Sequence, residues 1–207
     1  MLVSGVSWSL TYLLILRRGL LDRTYGMPLA ALCANLSWEL IFAFYIPAHH
    51  PAQHWTATAW LGLDLLILGQ VLAYWRRELP EVHPGAFYAL LALALGTAFG
   101  TILGVSVELE DWKGGYAAYG QNLMMSILFV TMLYRRGSLR GQSIYIAGLK
   151  LVGTASTSLA LYAFSPTPAG GVLMPFLYVA VLVYDLIYLG MIYRQAGYEG
   201  VSVWRRL

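Results

Sequence analysis

The sequence predicts an all-α integral membrane protein: one domain over residues 1–207, folded as a bundle of seven transmembrane helices. Three observations carry this expectation. Of 207 residues, 59% are hydrophobic and only 11% charged, against about 25% charged in a soluble domain. Apolar stretches close to the ~20 residues a helix needs to cross a bilayer recur along the chain. Basic residues collect in alternate connections, as a fixed membrane topology requires.

The predicted spans run at about 1–16, 26–46, 56–75, 87–107, 116–134, 142–164 and 172–193. The first has no basic leader and no A-x-A site, so it reads as a retained helix and not a cleaved signal. The second, "YGMPLAALCANLSWELIFAFYIP", places Glu39 in an apolar run, with Asn35 one turn below and Trp38 beside it. The third carries Asp64, with no polar companion at i±3 or i±4, and the fourth carries no ionisable residue. On the fifth, Asn122 and Ser126 share a face, as do Lys150 and Thr154 on the sixth. On the seventh, Tyr178, Asp185 and Tyr188 fall on one stripe, so an acid is flanked by aromatic faces.

The connections set the orientation. Arg17, Arg18 and Arg23 lie in the first, Arg76 and Arg77 in the third, and Arg135, Arg136 and Arg140 in the fifth. Arg194, Arg205 and Arg206 lie in the tail, whereas the second, fourth and sixth connections hold only Lys113. The positive-inside rule then puts the N-terminus outside and the C-terminus in the cytoplasm. The net charge of +3 therefore reports orientation, and a nucleic-acid partner is not expected. The single cysteine, Cys33, excludes an intramolecular disulfide and a CxxC metal site.

Four ionisable residues remain inside the spans: Glu39, Asp64, Lys150 and Asp185. At ~1.5 Å rise per residue, Lys150 and Asp185 lie roughly 12–14 Å from the cytoplasmic ends, Asp64 about 18 Å and Glu39 about 20 Å. A charge at that depth costs ~2.5–3.5 kcal/mol, so these groups are expected to face the bundle interior. Lys150 and Asp185, at matched depth, are expected to pair. That leaves Glu39 without a basic neighbour, and desolvation then favours its neutral acid form, the state a proton donor needs. Pairing of Lys150 with Glu39 instead would hold Glu39 ionised. Asn35, Gln121, Asn122, Ser126, Thr154 and Thr157 add polar groups at depth, each able to serve simply as interhelical glue. Trp8, Trp55, Trp112 and Trp204 fit an interfacial belt, while Trp38 and Trp60 lie deeper.

Two clusters read as decoys. "VELEDWKGG" (Glu108, Glu110, Asp111) departs from the DxDD box of soluble cyclases and reads as a solvated outer loop. "AHHPAQHW" (His49, His50, His54) would suit a metal only if helical, which Pro47 and Pro51 oppose. No metal or cofactor is expected.

"YGMPLAALCANLSWELIFAF" resembles the second helix of the small seven-helix membrane terpene cyclases of fungal meroterpenoid and indole-diterpene pathways and their bacterial relatives. "YGQNLMMSILF" and "VYDLIYLGMIY" are similar to the family's fifth and last helices, and "GQSIYIAGLKLVGT" is a looser match. The resemblance implies an intramembrane glutamate and a last-helix aspartate acting together in acid-initiated cyclisation, which carry onto Glu39 and Asp185. It further implies protonation of a terminal alkene or epoxide on a prenyl chain, farnesyl-length or longer, attached to another moiety. No diphosphate is ionised, and the sequence shows no DDxxD-like motif.

On this reading Glu39 is the proton donor and Asp185 its partner or the reprotonating acid. Asn35, Trp38, Asp64, Asn122, Lys150, Tyr178 and Tyr188 line the site or support the cation. The expected partners are a lipophilic prenylated substrate and membrane lipid, with no obligate protein partner evident. The expected location is the plasma membrane in a bacterium or the endoplasmic reticulum in a fungus. Two alternatives compete. A retinal-type photoreceptor would use Lys150 for a Schiff base, although in microbial rhodopsins that lysine lies on the last helix. A proton-coupled transporter would use Asp64, Glu39 and Asp185 as a relay, although no repeat or broken helix pair is evident.

Overall fold

A computed structural model describes residues 2–46, 51–164 and 171–207. These residues form seven α-helices: α1 Leu2–Asp22, α2 Leu29–Leu40, α3 Pro51–Glu78, α4 Pro84–Glu108, α5 Gly115–Arg136, α6 Ile144–Phe164 and α7 Leu173–Tyr198. Four of them, α3, α4, α6 and α7, are long and apolar enough to cross a membrane. The remaining three supply much of the polar interior. On α1, Ser4, Ser7, Thr11 and Arg18 are buried while Val6, Leu10 and Leu13 are exposed. A water-soluble helix distributes these residue types the other way round.

Prolines and glycines set several boundaries. Pro28 precedes α2, and Pro84 occupies the first turn of α4, where a missing N–H costs nothing. Pro51 likewise opens α3, which corrects the expectation that this proline keeps the histidine segment out of a helix. His54 is therefore helical, its ring edge-on to Trp55 at 5.6 Å and to Phe44 at 6.4 Å. His49 and His50 lie outside the described residues.

The segment expected to span 26–46 is shorter than the other helices. It is α-helical over Leu29–Leu40 and continues as a π-helical turn over Ile41–Tyr45, where the Ile46 N–H reaches the Ile41 carbonyl at 2.8 Å. Such turns concentrate at functional sites, and this one begins two residues after Glu39. Helix α2 packs against α3, α4 and α5, while α1 lies between α3 and α6, and α7 between α5 and α6. Residues on α1, α2, α3, α5, α6 and α7 therefore converge on one interior.

The arginine-bearing end is tied by carboxylates. Asp22 takes Arg18 at 2.5 Å, Arg206 at 2.9 Å and the Gly141 N–H at 2.8 Å, which folds the tail back beneath the bundle. Glu78 takes Arg136 at 3.1 Å, Arg140 and the Thr24 hydroxyl at 2.6 Å.

Candidate active site

The buried polar groups fall into two clusters on opposite sides of the interior. The first joins Tyr12 of α1, Asn35 and Glu39 of α2, and Asp64 of α3. Asn35 and Glu39 share a face because they stand four residues apart on α2. Asn35 Nδ2 donates to the Tyr12 hydroxyl at 2.8 Å, and that hydroxyl donates to Glu39 Oε1 at 3.4 Å. Asp64 lies beside Glu39 and Asn35. Neither carboxyl oxygen of Asp64, nor Glu39 Oε2, has a hydrogen-bond partner among the described residues. Glu39 is 2% exposed and Asp64 0%. No Lys or Arg among the described residues accompanies them.

The second cluster is built around a cation. Lys150 Nζ donates to Asp185 Oδ1 at 2.5 Å, to Ser126 Oγ at 2.6 Å and to Asn122 Oδ1 at 3.3 Å. All three ammonium donors are used, and the nitrogen stands 5.8 Å from the Trp8 ring centroid. Asn122 Nδ2 in turn donates to Thr154 Oγ1 at 3.0 Å. The lysine therefore pairs with Asp185 and not with Glu39, the first of the two pairings the sequence allows.

Between the clusters lies a cavity with about 680 Å³ of empty space, part of it open to the outside. Trp8, Tyr12, Trp38, Trp60, Glu39 and Asn122 are on its wall. The indoles are anchored by their N–H groups, Trp38 to the Gly114 carbonyl at 3.1 Å and Trp60 to Ser9 Oγ at 3.0 Å. Gly114 has φ +71°, and a Cβ there would stand 2.6 Å from Phe42 and 2.8 Å from the Trp38 indole nitrogen. Only glycine allows both the left-handed turn and this close approach. Asp111 sets that turn, its carboxylate accepting from the Gly115 and Ala117 N–H groups at 2.8 and 3.1 Å. The acidic stretch read as a solvated loop thus holds one buried cap, while Glu108 and Glu110 remain exposed.

The family model of the Pyr4-like transmembrane terpene cyclases matches residues 1–197. The chain belongs to this family. Among similar proteins, terpene cyclase pyr4 of Aspergillus fumigatus is 30% identical over 164 residues, covering 74% of this chain and 65% of the relative. The Pyr4-family terpene cyclase mfmH of Annulohypoxylon moriforme is 29% identical over 198 residues, covering 89% and 80%. Terpene cyclase cdmG of Talaromyces verruculosus is 28% identical over 173 residues, covering 78% and 68%. The chain thus spans just under two thirds of pyr4 and more of the other two. No solved structure matches. A member of this family with four membrane-length helices is a multi-pass membrane protein.

Within this Pyr4-like chain the residues singled out from sequence divide. Asn35, Trp38, Glu39 and Asn122 line the cavity. Asp185 and Tyr178 instead line a groove of about 920 Å³ between α6 and α7, which meets the cavity wall at Thr154. Tyr178 packs edge-on to Tyr119 at 4.7 Å, and Tyr188 is fully buried against Phe129 at 5.2 Å. Lys150 and Asp64 are fully buried behind the groups they support. Trp8 departs from the interfacial belt, because it faces the cavity beside Lys150. Sequence reasoning missed Tyr12. Its spacing from Asn35 and Glu39 crosses a helix boundary, so no periodicity signals it.

Proposed function

We propose that the protein cyclises a prenyl chain, farnesyl-length or longer and attached to another moiety, by protonating its terminal alkene or epoxide. The observation that carries this is Glu39: a carboxyl with no basic neighbour, one oxygen unpartnered, on the wall of a cavity walled by tryptophans.

The hydrogen-bond chain supports placing the proton on one of the two Glu39 oxygens. Asn35 donates to Tyr12 and Tyr12 to Oε1, so Oε1 is an acceptor. The acid hydrogen then belongs on Oε2, the oxygen left for substrate or for Asp64. Two adjacent desolvated carboxyls without a cation cannot both ionise, so Glu39 and Asp64 hold at least one proton between them. Transfer from Oε2 to the terminal alkene carbon or the epoxide oxygen generates a tertiary cation at the chain end. The internal double bonds close on it in turn, and a proton leaves the final cation. The last loss balances the first gain, so substrate and product are isomers. Indole faces of Trp8, Trp38 and Trp60 stabilise the migrating charge by ~0.5–2 kcal/mol each when desolvated, and the apolar wall keeps water from quenching it.

Asp185 lies outside the cavity, in the groove between α6 and α7, and acts through Lys150. A bare ammonium at Lys150 would oppose a carbocation nearby. Asp185 neutralises it, and Lys150 holds Asn122 on the wall. The seven helices all cross the membrane, N-terminus outside and C-terminus cytoplasmic, in the plasma membrane of a bacterium or the endoplasmic reticulum of a fungus. Family membership leaves the photoreceptor and transporter alternatives without support.

The test incubates membranes holding wild type, Glu39→Gln or Asp185→Asn with prenylated aromatics and their terminal epoxides. Mass spectrometry and NMR identify isomeric cyclic products. Wild type is expected to form them and Glu39→Gln to leave substrate uncyclised. Full cyclisation by Glu39→Gln would sink the donor assignment.

A further inference from the structure

At the arginine-bearing end, away from the cavity, a second concavity opens between the start of α2 and the C-terminal ends of α3 and α5, with about 1,230 Å³ of empty space. Arg77, Arg135, Arg136 and Arg140 converge on it with Glu78. Four guanidinium groups against one carboxylate leave a net charge of +3, as much as the whole chain carries. Two of the four are pre-set. Glu78 holds Arg136 Nε at 3.1 Å and also holds Arg140, while the Arg140 carbonyl accepts from Arg136 Nη1 at 3.1 Å. The Arg136 guanidinium stands 4.9 Å from the Tyr25 ring centroid. Arg77 and Arg135 have no carboxylate partner among the described residues. Burial pushes the Tyr25 hydroxyl up, against the pull of Arg136, so it remains a neutral donor.

The same cleft is also lined by the apolar side chains of Leu29, Leu79, Leu128 and Met132. Topology explains why arginines lie at this end of the bundle. It does not explain why four of them border one cleft that is also lined by Leu29, Leu79, Leu128 and Met132. A cleft lined by both arginines and apolar side chains fits an amphiphile with an anionic head, because guanidinium groups take phosphate oxygens bidentately and acyl chains can lie along apolar side chains.

We propose that this cleft binds the phosphate headgroup of an anionic phospholipid, with Arg77 and Arg135 as the recognising cations and Glu78 holding Arg136 and Arg140 in place. The proposal is independent of the cyclisation chemistry.

Thermal unfolding of the purified protein in neutral detergent tests it, with phosphatidylglycerol, phosphatidylcholine or inorganic phosphate added. Phosphatidylglycerol is expected to raise the midpoint over phosphatidylcholine by about 5 °C at large excess. Arg77→Gln/Arg135→Gln, both at exposed positions, is expected to lose most of that shift. Arg17→Gln/Arg23→Gln removes the same charge outside the cleft and is expected to keep it. Equal shifts from the two lipids, or equal loss in the two double variants, would overturn the site. A full shift from inorganic phosphate alone would overturn the lipid assignment in favour of a free anion.

Discussion

Two carboxylates buried to nearly the same degree are treated in opposite ways. Asp185 is matched to Lys150, which also engages Ser126 and Asn122, so the charge is compensated where it sits. Glu39 receives one long hydrogen bond from Tyr12 and otherwise faces a second acid. The first arrangement is what a buried ion pair requires to be tolerated. The second suits a group that must give up a proton, because among the described residues one long hydrogen bond is all that supports the carboxylate ahead of reaction. On the proposed mechanism, the pair on α6 and α7 serves as scaffolding and the pair on α2 and α3 supplies the proton.

Substitutions can break or sharpen this contrast. Glu39→Gln keeps shape and removes the proton, so cyclisation is expected to fall by about 10²–10⁴-fold with little change in the thermal midpoint. Product yield from membranes reads the first and unfolding of purified protein the second. Asp185→Asn should behave differently, because it strands the lysine. Breaking a buried pair costs about 3–5 kcal/mol of stability, which thermal unfolding detects. Adding Lys150→Met should recover much of that stability, whereas a double variant no more stable than the single would show that the pair is not a compensated charge.

Asp64→Asn removes the second acid and leaves a group that can donate to Glu39. Cyclisation is expected to fall about tenfold, ~1.4 kcal/mol in barrier, at unchanged stability. Unchanged rates would mean Glu39 works alone. Tyr12→Phe is the mildest: losing one long hydrogen bond costs about 0.5–1.5 kcal/mol, a few-fold in initial rate, with the same product.

Much of this arrangement is legible along the chain. Helix positions follow from apolar run length, and the run over 142–164 is observed at Ile144–Phe164. Depth arithmetic pairs Lys150 with Asp185, as observed, and puts Asp64 and Glu39 at similar heights without pairing them. Depth, however, gives height along the bundle and says nothing of direction around it. Asp64 therefore looked companionless, because its neighbours at i±3 and i±4 are apolar while its actual companions lie on α2. Trp8 was misplaced for a related reason. Nearness to a helix end implies an interfacial position only if the ring points outward.

By itself, the sequence determined the helical class, the family and the identity of the buried ionisable residues, because hydropathy and local motifs are properties of one segment at a time. Only the tertiary structure decided that Lys150 serves Asp185, that Asp64 and Tyr12 attend Glu39, and that Glu39 and Asp185 face different cavities. Those facts depend on which faces of six helices meet, and that is set by packing between segments far apart in the chain.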